Sequence, residues 1–265
     1  MTAVEVARSA LFVPGDRPDR FGKAAATGAL VVLDLEDAVG EAARPLARQH
    51  VRRWLEHGGR AVVRVQAADA AGHAQDVDAV AGAVGLLGVV LARAERPEDV
   101  HAVGRTVTAP VIALIETAAG IAAARQLAGP AARLALGDQD LALDLGVAPR
   151  SSLVRTLAVE IVLASRLAGL PRPLDGVTPE LHDEEKLAKD ATTSREDGFG
   201  GKLCIHPGQV PTVERSFRPD DQELAWARSV VAAAAAADGR AVTTADGGMV
   251  DRPLVERARA LLRDA

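Results

Sequence analysis

The sequence predicts a (β/α)8 barrel followed by a C-terminal helical extension, and three observations support this fold. Eight short apolar or β-branched runs recur up to residue 206, and stretches with helical spacing separate them. Eight such units in about 220 residues match the usual size of a closed barrel. Beyond residue 206 the alternation stops and two further helices are expected. We therefore divide the chain into a barrel catalytic domain, 1–218, and an extension, 219–265, that packs on the barrel or contacts a neighbouring subunit.

The strands and helices follow from this pattern in chain order. The predicted strands are Ser9–Pro14, Ala29–Glu36, Arg60–Gln66, Gly88–Glu95, Pro110–Thr117, Ala132–Asp140, Leu174–Val177, which is the weakest, and Gly201–His206. The predicted helices include Arg44–Glu56, Arg150–Ala168, Asp183–Asp197, Asp220–Ala237 and Pro253–Leu262, with a polar, glycine-rich link over Asp238–Met249. A doubly wound open sheet is the alternative fold. Its dinucleotide-binding version has no support, because no Gly-x-Gly-x-x-Gly motif follows the first strand.

Composition excludes several classes of protein. The chain has 31 Lys and Arg against 36 Asp and Glu, so its net charge of −5 gives no basic surface for nucleic acid or an anionic membrane. With 2% aromatic residues and no Tyr, it also has few platforms for base stacking. Its single cysteine, Cys204, cannot form an intrachain disulfide, and the N-terminus lacks a signal-peptide pattern. We expect a cytoplasmic protein with neither nucleic-acid nor membrane partners.

Charged side chains stand at the ends of several predicted strands, where barrel enzymes carry their chemistry. A charge buried in an apolar strand is costly unless a metal, a counter-charge or a hydrogen-bond network compensates it. Together these residues predict a shared site, although any one of them alone could be a strand cap or a surface charge. They are Asp34, Glu36, Asp37, Arg64, Arg93, Glu95, Glu116, Asp138 and Asp140.

Glu116 and Asp140 are the predicted metal ligands, because they end adjacent strands. Carboxylate oxygens suit Mg²⁺, which keeps several waters and leaves positions for a 2-oxo acid. The sequence has no His-x-x-x-His or Cys-x-x-Cys spacing for zinc and no Gly-x-Ser-x-Gly nucleophile motif. Its few lysines do not favour a Schiff base. The pattern therefore favours metal-assisted chemistry.

Taken together, the motifs resemble the citrate lyase β-subunit-like proteins of the HpcH/HpaI aldolase superfamily over nearly the whole chain. The matching stretches are RSALFVPGDRPDRF (8–21), VLDLEDAV (32–39), VRV (63–65), ALIET (113–117), GDQDL (137–141), LCIHP (203–207) and GMVD (248–251). The resemblance implies a (β/α)8 barrel assembled into trimers or hexamers. It also implies Mg²⁺ held by the two carboxylates already favoured by position, Glu116 and Asp140.

The resemblance also implies roles for other residues. Arg64 would contact the thioester or enolate oxygen, while Glu36 and Asp37 would order metal-bound waters. Asp251 would enter a neighbouring subunit's site as acid/base, with helix capping ahead of Pro253 as the alternative. The residues assigned to coenzyme A or substrate are Phe12, Pro14, Arg17, Arg20, Arg64 and His206, of which His206 has a strand-end hydrogen-bonding role as its alternative.

Three residues depart from the family's usual pattern. Arg93 stands where relatives often have Lys after Pro, and a planar guanidinium is not equivalent to a compact ammonium. Gln139 replaces a common Glu beside the metal ligand, and Gln66 replaces a frequent Asn. The Arg93 departure bears on substrate choice, the Gln139 departure on the surroundings of the metal ligand, and the Gln66 departure on the pocket.

The leading interpretation is a Mg²⁺-dependent carbon–carbon lyase. It would cleave a 3-hydroxy-3-carboxyacyl-CoA, of the malyl-CoA or citramalyl-CoA type, to acetyl-CoA and a 2-oxo acid, or catalyse the reverse condensation. One alternative is a pyruvate aldolase that acts on free aldehydes. A second is a non-catalytic binding subunit that retains the fold.

Overall fold

The computed structural model describes residues 2–236, 242–243 and 249–263. Contacts divide the chain into two compact units, Met1–Glu214 and Arg215–Ala265. The domain division at residues 218 and 219 stays a prediction.

The first unit is a closed barrel of eight parallel strands in the order β1 to β8, and β8 pairs with β1. The predicted (β/α)8 fold is therefore confirmed. The strands are β1 Ser9–Pro14, β2 Leu30–Asp34, β3 Ala61–Val65, β4 Leu86–Leu91, β5 Val111–Ile115, β6 Arg133–Leu136, β7 Leu174–Asp175 and β8 Gly201–Cys204.

Helices connect these strands and continue into the second unit. They are α1 Ala3–Val6, α2 Pro18–Ala25, α3 Arg44–Glu56, α4 His73–Val80, α5 Pro97–Val107, α6 Ala118–Ala122, α7 Ala124–Leu127, α8 Asp138–Asp144, α9 Ser152–Leu167, α10 Glu184–Glu196, α11 Val210–Ser216, α12 Asp221–Ala236 and α13 Arg252–Arg263. Two short 3-10 helices cover Glu41–Ala43 and Pro207–Gln209. The five helices predicted by range are present, with ends that differ by at most two residues.

Small aliphatic side chains fill the barrel, which suits a sequence with so few aromatic residues. Each of the eight strands contributes at least one residue to a single buried cluster, which contains Ala10, Leu30, Val32, Val62, Val90, Ile112, Leu114, Ala135, Leu174 and Leu203, together with Val4 of α1. Since side chains alternate along a strand, Asp34, Arg64 and Glu116 share the inward parity of Val32, Val62 and Leu114. The pattern that builds the core therefore also carries these charges to the C-terminal mouth.

Arg133 lies at the opposite end of the barrel, on the first residue of β6. Its side chain is buried and donates to the carbonyl oxygens of Val4, Ala7 and Arg172 at 2.8 to 2.9 Å. Burial lowers the pKa of Arg133 to about 10. These bonds tie the N-terminal segment to the bottom of the barrel.

Several predicted strands extend too far at their C-terminal ends. Asp138 and Asp140 were expected within strand six, but β6 ends at Leu136 and both lie in the first turn of α8. In the same way, Arg93 and Glu95 follow β4, and Glu116 follows β5 directly. Carboxylates are favourable in the first turn of a helix, where free N–H groups point toward them. In these three cases the charged residues therefore belong to the segment after the strand, whereas Asp34 and Arg64 lie within β2 and β3.

The second unit contains α12 and α13, which pack through Ala227, Val230 and Ala258. Arg257 lies over the ring of Trp226, 5.5 Å from its centroid. Of the predicted link over Asp238–Met249, the structure describes only 242–243 and 249, where β9 Val242–Thr243 pairs with β10 Met249–Val250. The remainder of that link lies outside the described residues. Across the described part of the chain, no helix is both long enough and apolar enough to cross a membrane.

Candidate active site

An acidic cavity of about 260 Å³ opens beyond the C-terminal ends of the barrel strands. It gathers side chains from the segments that follow β2, β4, β5 and β6, as expected for a barrel active site. We call it the acidic cavity, and its lining residues are Glu36, Asp37, Arg93, Glu116, Thr117, Asp140, Leu143 and Asp144. The structure thus brings together Glu116 and Asp140, the predicted metal ligands, with Glu36 and Asp37.

A larger cavity of about 780 Å³ lies beside the N-terminal ends of the first strands, where Ser9, Leu30 and Arg60 contribute to its wall. It contains none of the predicted metal ligands. We assign the candidate site to the smaller cavity, because charge and position at the C-terminal mouth identify a barrel site better than size does.

Glu116 is the most deeply placed carboxylate of the acidic cavity, with 2% of its surface exposed. Its Oε1 accepts a hydrogen bond of 2.6 Å from the backbone N–H of Arg93. Burial and the nearby charge of Glu36 raise the pKa of Glu116 to about 8. Gly137 packs against this side chain, since a Cβ at that position would lie 2.5 Å from Glu116 Oε2.

Glu36 and Asp140 carry the same kind of perturbation. Burial raises the pKa of Glu36 to about 7 against the opposing charge of Arg64, and the charges of neighbouring Asp residues, including Asp140, add to the increase. Burial, followed by the charge of Asp37, raises the pKa of Asp140. Three carboxylates that disfavour one another's ionisation share one small space. Such an arrangement is stabilised by a cation.

The donor set fits Mg²⁺. Glu36 Oε2 is buried and accepts no hydrogen bond. Arg64 Nη1 lies 2.9 Å away and forms an ion pair with it. Within the described ranges, no three His, Cys, Asp or Glu side chains form a complete metal cage. Mg²⁺ is commonly held by one or two carboxylates while it keeps waters and substrate oxygens. Glu116 and Asp140 are the residues that would hold it.

Arg64 lies at the mouth of the barrel and is 8% exposed. Asp34 on the neighbouring strand accepts from Arg64 Nε at 2.7 Å and from Nη2 at 2.6 Å. The remaining nitrogen, Nη1, lies 2.9 Å from Glu36 and 3.5 Å from Asp37. The ring of Phe12 supports the guanidinium, with its centroid 4.9 Å from Cζ. Asp34 therefore fixes Arg64 so that one edge faces the acidic residues.

Three residues shape the site without having been assigned a role from the sequence. Asp34 accepts from the backbone N–H groups of Glu36 and Ala38 as well as from Arg64, so it folds the loop after β2. Gly137 leaves room for Glu116, and Thr117 donates to Glu95 at 2.8 Å. Only the pairing of Asp34 with Arg64 had a sequence signal, because both are inward-facing charges on adjacent strands.

Apart from Arg64 on β3, the residues predicted to bind coenzyme A or substrate lie around the end of β1 and after β8. Phe12 and Pro14 belong to β1, and Arg17 precedes α2, where its Nε lies 3.2 Å from Asp19. Arg20 is exposed on α2. His206 is also exposed, and its Nδ1 accepts from the N–H of Gly208, which caps the second 3-10 helix. The capping bond agrees with the alternative role for His206, and its binding role stays a prediction.

Asp251 belongs to the second unit, immediately before α13. Its Oδ1 accepts a hydrogen bond of 3.0 Å from the backbone N–H of Leu254, so it caps this helix. The capping alternative is therefore observed. The acid/base role of Asp251 in a neighbouring subunit's site stays a prediction.

The three departures from the family pattern fall in different surroundings. Gln139 donates to Asp138 at 2.8 Å and faces a separate cavity between α9 and α10, whereas Asp140 faces the acidic cavity. Gln66 is buried and donates to Asp76 at 2.8 Å. Arg93 alone of the three lines the acidic cavity.

The fold and these carboxylates define a (β/α)8-barrel protein with a candidate metal site at the C-terminal ends of its strands. Residues 8–207 match the HpcH/HpaI aldolase/citrate lyase family, and the chain belongs to this family. It is 37% identical over 264 residues to a citrate lyase subunit beta-like protein of Mycobacterium tuberculosis, covering 96% of this chain and 94% of the relative. A (3S)-malyl-CoA thioesterase of Cereibacter sphaeroides is 32% identical over 97% of this chain and 94% of its own length.

Solved structures of citrate lyase beta-type proteins are also similar to this chain. The CitE protein of M. tuberculosis, in complex with magnesium, acetoacetate and coenzyme A, superposes with a TM-score of 0.87 at 37% identity, over 98% of both chains. A citrate lyase beta subunit from the same organism, complexed with oxaloacetate and magnesium, has a TM-score of 0.75 at 35% identity, over 83% of this chain and 100% of that one. These two relatives were therefore solved with magnesium, the metal that the sequence predicted for this chain.

Proposed function

We propose that this protein is a cytoplasmic, Mg²⁺-dependent carbon–carbon lyase. It cleaves a 3-hydroxy-3-carboxyacyl-CoA, of the malyl-CoA or citramalyl-CoA type, to acetyl-CoA and a 2-oxo acid, or catalyses the reverse condensation. The observation that carries this proposal is the convergence of Glu36, Glu116 and Asp140 in one cavity, where the pKa of each is raised. The ligands of the two M. tuberculosis structures, a 2-oxo or 3-oxo acid with magnesium and in one case coenzyme A, support the same chemistry.

Glu116 and Asp140 would hold the metal, and Glu36 and Asp37 would accept hydrogen bonds from its waters. When bound, Mg²⁺ would act as a Lewis acid toward the carboxylate and hydroxyl oxygens of the substrate. In the cleavage direction, the carbon–carbon bond breaks, and the hydroxyl loses its proton and becomes the 2-oxo carbonyl. The bonding electrons pass to the α-carbon of the thioester, which gains a proton to give acetyl-CoA.

Arg64 is the residue proposed to stabilise the enolate charge during this step. Its guanidinium is fixed by Asp34 and ion-paired to Glu36, so it needs little rearrangement when negative charge develops nearby. Although burial acts to lower the pKa of Arg64, its hydrogen bond to Asp34 raises that pKa above the usual value, which keeps the side chain charged. A fixed cation of this kind favours a transition state more than a neutral ground state.

Asp251 is proposed to deliver the proton to the α-carbon within a homotrimer or homohexamer. Its exposed position at the start of α13 leaves one carboxylate oxygen outside the capping bond to Leu254. In this arrangement the extension of one subunit completes the site of its neighbour.

Purified protein incubated with Mg²⁺ and malyl-CoA or citramalyl-CoA should release free glyoxylate or pyruvate, measured as a hydrazone. Removal of Mg²⁺ with EDTA should abolish the release, and Mg²⁺ should restore it. Glu116→Gln and Asp140→Asn should each lower kcat by roughly a thousand-fold or more, because several kcal/mol of transition-state stabilisation depends on the metal. Near-normal turnover by Glu116→Gln at saturating Mg²⁺ would contradict the assignment of Glu116 as a metal ligand.

Thioester hydrolysis is the second candidate activity, because the C. sphaeroides relatives are (3S)-malyl-CoA thioesterases. The products distinguish the two reactions. Lyase activity yields acetyl-CoA and a 2-oxo acid, whereas hydrolysis yields free coenzyme A and malate. Appearance of a free thiol with no 2-oxo acid would assign hydrolysis in place of cleavage.

A further inference from the structure

Arg93 is the only cationic residue among the described side chains that line the acidic cavity. The others include five carboxylates, from Glu36, Asp37, Glu116, Asp140 and Asp144. Such a wall repels an acidic ligand unless positive charge is also present. A metal ion supplies part of this charge, and Arg93 is the protein's own contribution.

The backbone of Arg93 is unusual. It has a φ of 46°, one of two non-glycine residues with positive φ among those described. This conformation costs an L-residue free energy, and only special contacts maintain it. Here it directs the N–H of Arg93 to Glu116 Oε1 at 2.6 Å. Glycine would adopt the same φ without strain, so the backbone bond does not explain why the residue is arginine.

The side chain of Arg93 remains available for a ligand. Half of it, 52%, is exposed, and its nearest acidic partner is Glu95, with Nη2 3.9 Å from Oε1. Glu95 is itself hydrogen-bonded by Thr117 at 2.8 Å. In contrast, the three guanidinium nitrogens of Arg64 already have acidic partners, Asp34 at 2.6 and 2.7 Å and Glu36 at 2.9 Å.

The charge of Arg93 acts on the same space as the metal ligands. Arg93 lines the acidic cavity together with Glu116 and Asp140. A ligand bound beside these carboxylates would occupy the same small cavity of about 260 Å³ that Arg93 borders. Its planar fork suits the two oxygens of a carboxylate.

We propose that Arg93 is the specificity-determining residue that receives the carboxylate of the 2-oxo acid in the acidic cavity. This inference rests on the proposed function, and it assigns the arginine side chain a purpose that its backbone contact leaves unexplained. Arg93 binds the acid and not the thioester, so its loss weakens oxo-acid binding and leaves coenzyme A binding in place.

Arg93→Gly tests this, because it removes the guanidinium while glycine accepts the φ of 46° and keeps the N–H that binds Glu116. The affinity for pyruvate at saturating Mg²⁺, measured by calorimetry, should fall roughly 10- to 100-fold, the size expected for a charge-assisted hydrogen bond. Mg²⁺ affinity without pyruvate should stay the same or increase, because a positive charge near Asp140 has been removed. Arg93→Lys keeps the charge but loses the planar fork. Its pyruvate affinity should lie between those of the wild-type protein and Arg93→Gly.

Arg96→Gly is the matched control, since Arg96 is 65% exposed, pairs with Asp99 and does not line the cavity. It should leave pyruvate affinity unchanged. If the wild-type protein binds pyruvate with Mg²⁺ and Arg93→Gly binds it equally well, the role of Arg93 is overturned while the proposed function stands. If Arg93→Gly binds both Mg²⁺ and pyruvate more weakly, the substitution has damaged the site in general, and the proposed role of Arg93 is also overturned. If the wild-type protein binds neither, the proposed function itself fails.

Discussion

Gly137 lies directly against Glu116, so that a Cβ on this glycine would be 2.5 Å from both Cβ and Oε2 of the glutamate. The φ of Gly137 is −99°, which any residue adopts. The requirement for glycine here is therefore one of space and not of backbone conformation. The position of the proposed metal ligand depends on the absence of a single methyl group.

Gly137→Ala should displace Glu116 and weaken Mg²⁺ binding at least ten-fold, with a matching loss of activity. The physical reason is that contacts below 3.0 Å force a shift of the carboxylate. Calorimetric titration with Mg²⁺ measures the effect. Gly40→Ala is the control, because a Cβ on Gly40 would have no neighbour within 4 Å. Equal Mg²⁺ affinity in the two variants would contradict the proposed role of Glu116.

Asp34→Asn should destabilise the barrel by about 3–5 kcal/mol, because it leaves the buried guanidinium of Arg64 without its main counter-charge. Urea unfolding followed by circular dichroism measures the change. Asp19→Asn, which removes the exposed partner of Arg17, is the control and should have little effect. A loss below about 1 kcal/mol in Asp34→Asn, the range of an exposed ion pair, would mean that water reaches Arg64 more freely than its 8% exposure indicates.

Subunit complementation tests the proposed role of Asp251. Glu116→Gln and Asp251→Asn should each be nearly inactive alone, whereas co-expression of the two should restore part of the activity. Mixed oligomers would contain sites with Glu116 from one subunit and Asp251 from another. Assays of the co-purified mixture beside each single variant measure this. Full activity of Asp251→Asn alone would contradict the acid/base role and leave only the helix-capping role of Asp251.

Neutralising Arg17 and Arg20 should weaken coenzyme A binding, and the difference from wild type should shrink as salt is added. Both side chains lie on the exposed surface at the start of α2. Binding of coenzyme A to Arg17→Gln/Arg20→Gln at low and high ionic strength measures the effect. Unchanged affinity at low salt would contradict the assignment of Arg17 and Arg20 to coenzyme A. Absence of coenzyme A binding by the wild-type protein would favour the aldolase alternative.

Cys204 should be unreactive in the folded protein. It is fully buried on β8, and burial raises the pKa of its thiol to about 12. The folded state therefore keeps a proton that the unfolded chain loses above about pH 9, so stability falls as the pH rises from 9 toward 12. Cys204→Ala should show a smaller decrease in unfolding free energy between about pH 8 and about pH 10. Rapid labelling of the native thiol by Ellman's reagent at about pH 8 would disprove its burial.

The sequence was sufficient to predict the barrel, and it indicated which charged residues lie at the mouth of that barrel. Apolar runs alternating with helical stretches predicted eight β/α units, and the closed order of β1 to β8 confirmed them. Charges at the ends of those runs pointed to Glu36, Glu116 and Asp140, which share one cavity. The barrel prediction is confirmed, and the roles of these carboxylates stay a prediction. Both patterns are visible in the sequence because periodicity and the position of strand ends are local properties, which a single chain displays along its length.

Other features depended on the tertiary structure. Strand register places Asp34 beside Arg64, the pairing of β5 with β6 brings Gly137 against Glu116, and the turn after β4 gives Arg93 its positive φ. The sequence placed Asp138 and Asp140 within a strand, yet they begin a helix. Local patterns determine which residues reach the mouth of the barrel, because side chains alternate along each strand. Partners far apart in the chain, and the space between them, are set only when the strands pair and the barrel closes.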